Sequence, residues 1–402
     1  MAMPVSVWLI SLKSGLRMRT NKHKAGRKLK VLQFTVAATM GGRTQYILNL
    51  WNHIDHDAFT FDFVTFSKES DFNVRLDVGD GEVFYVNNYP EIARDSFISE
   101  FNAILKKGYD IIEIHTSYWK DTIVEEMARK VGIKAIIIHG HSTGITQITR
   151  QTIEDEGKLI QRHNEVKQRI GNELATCFWA CSEECADWLF RPIISEKNIR
   201  IIPNPIDVSR YRFNREVRRI GRCAENLDDV FVFGYVGRLE PAKNLLFLLD
   251  RFDTIAGHGG GIKLVIVGDG SERKVLEDSV KARELEQIVK FVGHTNDTSY
   301  YYQLMDCFLL PSLFEGYPLA AMEAQCSGLR CIMSDNVPET VCLTDNCQRI
   351  PLSRVDLWEE EMRMAATGYE RTDECLKIMV ERGLDIRTAA KRMEMLYRKE
   401  LQ

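Results

Sequence analysis

The stretch CFLLPSLFEGYPLAAMEAQCSGLRCIMSD, residues 307–335, contains one complete structural unit. CFLLPS (307–312) is an apolar run of strand length, too short for an ordinary helix. Gly316 and Pro318 mark a loop, and proline suits the first position of a helix because its missing N–H has no intrahelical partner there. The helix therefore starts near Leu319, and RCIMSD (330–335) is a second strand. Two strands joined through one helix run parallel, since the crossover has to return to the same edge of the sheet.

The same alternation extends to both sides. Upstream, VFVFGYVGRL (230–239), IKLVIVGDG (262–270) and VKFVGH (289–294) are strands, with helices predicted from Asn244 and Ser271. Further back come KLKVLQFTV (28–36), FTFDFVTF (59–66), EVFYV (82–86), YDIIEIH (109–115), IKAIIIHGH (133–141) and LATCFWACS (174–182). Tyr46, Ile47, Leu50, Trp51 and Ile54 repeat at helical spacing after the first of these. Strand alternating with helix predicts an α/β protein whose parallel sheets are covered on both faces. Near IRIIPNPIDVSRYRF (199–213) the pattern breaks, and a charged, weakly apolar stretch runs to Asp229, which reads as a linker. The expected divisions are a basic, disordered lead-in (1–28), a first domain (29–205) and a second domain (206–383). A closing amphipathic helix (384–402), with Ile386, Ala390, Met393 and Tyr397 on one face, either packs on the second domain or crosses back to the first.

Composition narrows the function. A net charge of −4 argues against a bulk nucleic-acid binder, and no apolar run reaches the ~18–20 residues of a membrane span. The ten cysteines form no C-x-x-C pair and no zinc-like cluster, so they read as small buried hydrophobes in a reducing compartment. The basic run over residues 13–30 is either a solvated lead-in or a patch for anionic lipid.

In parallel sheets, ligands bind where strands end in loops. After GYVG comes Arg238, and Lys243 follows five residues later at the opening of a helix. An arginine fork, a lysine and a helix N-terminus together suit a diphosphate, although the same two residues would also fit a solvated loop. Glu323 falls in the second turn of the helix after Pro318, and Glu315 in the loop before it. A carboxylate accepts paired hydrogen bonds from neighbouring hydroxyls, so the pair could grip sugars on either side of a diphosphate. A carboxylate beside a helix dipole and a stray loop acid would read the same way.

These residues carry a resemblance. VGRLEPAKN (236–244), LVIVGDGSERKVLE (264–277), VKFVGHTND (289–297) and PSLFEGYPLAAMEAQCSG (311–328), the last an E-x7-E pattern, resemble retaining glycosyltransferases of family 4. RIIPNPID (200–207) is similar to the interdomain turn of that family, and Gly41-Gly42 to its first glycine turn. The resemblance implies the GT-B architecture, two Rossmann-like domains facing a cleft, and looks closest to the branch that makes capsule and exopolysaccharide. It implies that Arg238 and Lys243 neutralise the leaving diphosphate, Glu323 holds the ribose and Glu315 faces the donor sugar. Gly316, Tyr317, Pro318 and Leu319 would lie near sugar and phosphates. Gly293, His294 and Thr295 would meet the base, and Gly268 and Gly42 would approach the donor. His139 would reach the donor sugar, with His141 the competing choice.

The resemblance therefore leads us to expect sugar transfer from a nucleoside diphosphate, UDP rather than GDP, to a glycan or lipid-linked glycan acceptor, with retention. No cofactor and no metal are implied; the DHD at 55–57 reads as a loop. The protein would be cytoplasmic, in peripheral contact with the inner face of the cytoplasmic membrane. Rival readings are a nucleotide-sugar epimerase of the same architecture and a non-catalytic nucleotide-sugar binder. An oxidoreductase is weakest, since GDGSER is not G-x-G-x-x-G.

Overall fold

The computed structural model describes residues 27–36, 41–66, 79–145, 153–257, 261–368 and 370–402; residues 1–26 of the expected lead-in lie outside them. The chain folds into two parallel sheets. The first is built from β1 (Leu29–Phe34), β2 (Phe59–Thr65), β3 (Val83–Tyr85), β4 (Ile111–Thr116), β5 (Ala135–Gly140), β6 (Cys177–Ala180) and β7 (Ile199–Ile201), in the order β3-β2-β1-β4-β5-β6-β7. The second uses β8 (Phe231–Val236), β9 (Ile262–Val267), β10 (Val289–Gly293), β11 (Cys307–Leu310), β12 (Arg330–Ser334) and β13 (Cys347–Ile350), in the order β10-β9-β8-β11-β12-β13. In each sheet the order reverses beside its first strand, between β1 and β4 and between β8 and β11. Such a switch point opens a crevice at the carboxyl ends of the strands. This is the α/β, GT-B arrangement of two Rossmann-like domains.

Two local readings are corrected. The stretch after residue 207 is not an irregular linker: it forms the helices Val208–Tyr211 and Arg215–Ala224. The second has little apolar content of its own, and tertiary contacts hold it. The Arg222 guanidinium donates to Asp306 at 2.9 Å and to the Leu304 carbonyl at 2.7 Å. The second correction is β13, whose Gln348 and Arg349 interrupt the apolar pattern by which a buried strand is recognised.

The closing helix, Ile386–Lys399, returns to the first domain. Met393 and Tyr397 pack into the core beneath β1 and β2, with Phe59, Phe61 and Trp179 around the tyrosine ring. The two chain crossings are joined to each other: Ile206 donates to Leu384 and Ile386 donates back to Ile206, at 3.0 and 2.9 Å. At the end of the helix the Tyr397 hydroxyl donates to the fully buried Glu113 carboxylate, which also accepts from Gln33 at 3.1 Å and from His139 at 2.8 Å. Burial alone would push the Glu113 carboxyl up; His115, His139 and Tyr397 bring it down to about 2.

Removing one donor from a buried carboxylate costs about 1–3 kcal/mol. Tyr397→Phe should therefore melt several degrees lower than the parent protein in a thermal scan at neutral pH. An unchanged midpoint would show that the Tyr397–Glu113 hydrogen bond contributes nothing to stability.

Candidate active site

The cleft between the two sheets has a volume of about 920 Å³ and is walled by the loops that follow β1, β4, β5, β8, β9, β10 and β11. Two glycines set its shape. Gly268, at φ +133°, passes so close to the turn after β8 that an added Cβ would lie 1.9 Å from the Gly237 carbonyl oxygen. A Cβ on Gly316 would lie 2.3 Å from the carbonyl oxygen of His141, so the loop after β11 meets the loop after β5 backbone to backbone. Thr143 fastens the same junction by donating to the Glu315 carbonyl at 2.8 Å, and Asn204 donates to the Tyr317 carbonyl at 3.3 Å.

Arg238 follows directly on β8 and Gly237, and its Nε lies 3.6 Å from the position a Cβ of Gly41 would take. The first glycine turn thus faces the guanidinium across the cleft. Lys243 closes the short 3₁₀ turn Pro241–Lys243, and the helix begins at Leu245 rather than at the lysine. Asn244, in the left-handed region at φ +54°, separates the two. The ammonium is paired with Glu315 at 2.5 Å, and the Ser312 hydroxyl donates to the same carboxylate oxygen at 2.7 Å. Glu240, in the same loop, engages the turn after β9 instead, accepting from the Ser271 hydroxyl at 2.7 Å.

Glu323 is buried in the helix Leu319–Cys326, whose N-terminus carries no side-chain cap and opens on the cleft. The Tyr302 hydroxyl donates to it at 2.9 Å. Burial pushes its carboxyl up to about 7, with bonds from Tyr302 and Tyr211 working the other way.

The structure brings Arg238, Lys243, Glu315 and Glu323 into one cavity, lined also by Gly42, Gly268, His294, Thr295, Gly316, Tyr317, Pro318 and Leu319. It does not place His139 or Gly293 on that surface. His139 has no exposed surface: it lies inside β5, facing Tyr46 and Trp179, and donates from Nδ1 to Glu113. Its competitor His141, one residue beyond the end of the strand, lines the cleft. Of the two, His141 is the one on the cleft surface. Gly293 serves the turn beneath, accepting from the Gly268 N–H at 2.9 Å.

His141 is part of a buried chain. It donates from Nε2 to His115 Nδ1 at 2.9 Å, and His115 donates from Nε2 to the Gln33 carbonyl oxygen at 2.6 Å, since that oxygen can only accept. Burial holds both rings neutral, His115 down to about 3 and His141 well below its ordinary value. Among the described residues, His115, His139 and His141 form the cluster that could hold a metal ion, with ligating atoms within 4.8 Å of one another. In the structure His115 is bonded to His141 and to Gln33, and His139 to Glu113, while His139 Nε2 and His141 Nδ1 have no partner among the described residues.

Sequence reasoning missed Arg43 and Arg210, both on the cleft wall. Arg43 adjoins the glycine turn and was legible there. Arg210 lay in the segment read as a linker; it donates to the Asn296 carbonyl at 2.6 Å, beside His294 and Thr295.

Comparison with known proteins places the chain among glycosyltransferases. The family described as Glycosyltransferase Family 4 matches residues 40–210, and the one described as Glycosyl transferases group 1 matches residues 222–348, a span that includes all four charged groups. The putative glycosyltransferase EpsF of Bacillus subtilis is 27% identical over 366 residues, 89% of this chain and 93% of that one. An Escherichia coli UDP-Gal:alpha-D-GlcNAc-diphosphoundecaprenol alpha-1,3-galactosyltransferase is 30% identical over 260 residues, 62% of this chain and 64% of that one. Among solved structures, Anabaena HepE in complex with UDP and glucose superposes with a TM-score of 0.72 at 18% identity, covering 92% of this chain and 99% of HepE. The sucrose-phosphate synthase of Thermosynechococcus elongatus gives 0.73 at 19% identity, covering 93% and 99%. Fold and site define a GT-B protein. The chain belongs to the glycosyltransferases of the family 4 type.

The raised Glu323 carboxyl has a measurable consequence. Its folded value lies above the ordinary carboxylate value, so the native state holds a proton that the unfolded chain releases, and stability falls as pH rises from about 4.5 to about 7. Glu323→Gln removes that penalty. The melting temperature of the variant, relative to the parent, should be clearly more favourable at pH 8 than at pH 5. Equal offsets at both pH values would show that Glu323 ionises normally.

Proposed function

We propose that the protein transfers a sugar from a nucleoside diphosphate, UDP in preference to GDP, to a glycan hydroxyl, with retention and without a metal. The reaction would serve exopolysaccharide or another cell-surface glycan. The observation that carries this reading is the convergence of Arg238, Lys243, Glu315 and Glu323 on one cleft. Support for the donor comes from the UDP bound in HepE and the UDP-Gal named for the E. coli relative. The product class is supported by the likeness to EpsF.

The donor diphosphate lies between Arg238 and the helix N-terminus at Leu319, where backbone N–H groups and the helix dipole favour an anion. Lys243 exchanges Glu315 for the phosphates, and Glu315, still held by Ser312, turns to the sugar hydroxyls. Glu323 accepts from the ribose. As the anomeric bond breaks, charge collects on the departing phosphate, and cations fixed at that place stabilise the transition state more than the ground state. The departing phosphate oxygen takes the proton of the incoming hydroxyl on the same face. His141 would meet the donor sugar, a reading supported by its position on the cleft wall. No helix among the described residues is long and apolar enough to cross a membrane. The proposed location is the cytoplasm, in peripheral contact with the membrane.

A thermal-shift panel of UDP- and GDP-sugars should single out one UDP-sugar, and Lys243→Ala should lower its turnover ~10²–10³-fold while melting within a few degrees of the parent. Chelator should leave the rate unchanged, and the proton spectrum of the product should show the anomeric configuration of the donor. Near-normal turnover by the variant removes Lys243 from the mechanism. Conversion of the UDP-sugar to its epimer without an acceptor would replace transfer with epimerisation.

A further inference from the structure

Two neighbouring strands of the first sheet bring three histidines together behind the cleft wall. His139 lies in β5 and pairs in register with His115 of β4. The ladder continues one step past β5, where the His141 N–H donates to the Thr116 carbonyl at 3.0 Å. Residues two apart in extended backbone point to one face, so His139 and His141 leave the sheet on the same side. One ring nitrogen from each of the three lies within 4.8 Å of the other two. The ring centres of His139 and His141 are 4.3 Å apart, and those of His115 and His141 5.1 Å. His115 and His139 are buried, whereas His141 reaches the cleft.

The hydrogen bonds around these rings fix where their lone pairs lie. Gln33 Nε2 donates to the Glu113 carboxylate at 3.1 Å, which leaves the amide oxygen to accept from His115 Nε2 at 2.6 Å. His115 therefore keeps its lone pair on Nδ1, the nitrogen that faces His141. His139 donates from Nδ1 to Glu113 at 2.8 Å, and its wholly buried Nε2 has no partner among the described residues. Nor has His141 Nδ1, the nitrogen left over when Nε2 donates to His115. A buried polar atom without a partner is costly. The outer contacts are those that metal-binding imidazoles make: an acceptor oxygen takes the far N–H and turns the near nitrogen toward the ion. Glu113 does this for His139 and Gln33 for His115.

Three imidazoles suit zinc and its neighbours in the transition series, whereas magnesium and calcium take oxygen ligands. Zn–N bonds of about 2.0–2.1 Å bring three nitrogens to about 3.3 Å from one another, so the rings shift by about 1 Å. The His141–His115 hydrogen bond is given up, and His141 can move because it stands past the end of β5. Charge acts in both directions here. Arg43 donates to the His115 carbonyl at 3.4 Å and opposes a cation, whereas Glu113 attracts one and is bonded directly to a ligand ring.

We infer that His115, His139 and His141 form a binding site for one divalent transition-metal ion of the zinc type, and that the bound ion draws His141 away from the donor sugar. The ion is an inhibitor here, since the transfer proposed above uses no metal. The inhibition rests on the transferase reading; the binding site does not.

Calorimetry on the untagged full chain, with no nucleotide or sugar present, should show a zinc ion binding that magnesium does not displace. His141→Gln and His115→Gln should each lose it. Glu113→Gln keeps the three imidazoles but removes the carboxylate behind His139, and should weaken zinc binding about tenfold or more. His56→Gln, a histidine outside the cluster, should bind zinc as the parent does. Cobalt in place of zinc reads the ligands without any substitution, so a variant that fails to fold does not block the test. Nitrogen ligation gives visible cobalt bands with no thiolate charge-transfer band in the near ultraviolet. Failure of the parent to bind zinc overturns the inference. So does undiminished binding by folded His141→Gln, or a thiolate band, which would place the ion on cysteines. Saturating zinc should slow sugar transfer by the parent severalfold, and chelator should restore it. Full transfer with zinc bound overturns the inhibition alone. Absence of transfer with and without zinc defeats the transferase reading and the inhibition with it, while the site stands or falls on the binding results.

Discussion

A parallel strand can be followed only by a crossover, so every loop that leaves the carboxyl end of a strand emerges on the same edge of its sheet. Both sheets of this protein obey that constraint, and they are set with those edges facing each other across the cleft. Arg238 after β8, Glu315 after β11, His141 after β5 and the glycine turn after β1 meet for that reason, although Gly41 and Glu315 are 274 positions apart in the chain. The loops can carry polar groups and tight glycine turns because the apolar residues of the strands beneath bear the packing.

The electrostatics of the cleft follow from how its charges are satisfied before a substrate arrives. Lys243 and Glu315 are paired at 2.5 Å, so neither stands as a lone enclosed charge. An incoming diphosphate and sugar offer each a new partner, which makes the loss of the pair an exchange rather than a bare cost. Glu323 is handled differently. Its enclosure raises its carboxyl to about 7, and tyrosine hydroxyls rather than a cation hold it, which keeps its oxygens open to neutral hydroxyl groups. Arg238 and Arg43 share the glycine-turn end of the cleft without a carboxylate between them among the described residues, and that concentration of positive charge is where anions would collect.

Behind the cleft floor, a hydrogen-bonded network runs from the end of the closing helix to the histidine on the surface. Tyr397 reaches Glu113, Glu113 holds His139 and Gln33, and Gln33 orients His115, which receives the proton of His141. Buried polar groups are tolerated when each has a partner. Here most partners come from β1, β4, β5 and a helix that enters from the other domain, while His139 Nε2 and His141 Nδ1 have none among the described residues. The helix therefore does more than cover apolar surface: its last turn helps set the orientation of side chains under the cleft.

The alternation of short apolar strands with helices was enough to determine two parallel sheets, and glycines, Pro318 and charged residues at strand ends marked the loops that meet in the cleft. Those signals are local, because strand length, turn chemistry and helix starts depend on neighbours in sequence. What local pattern could not carry was decided by tertiary contact. The helix Arg215–Ala224 exists because Arg218 and Arg222 find Asp306, a residue more than eighty positions away, and its own sequence looks like a linker. The choice between His139 and His141 turned on where β5 ends relative to the cleft, and two histidines two residues apart look alike until that end is placed. The Lys243–Glu315 pair and the enclosure of Arg43 likewise depend on how the loops approach one another in space. Sequence placed the charges on the correct edge; only the folded sheets determined which charges neutralise each other and which are left facing the cleft.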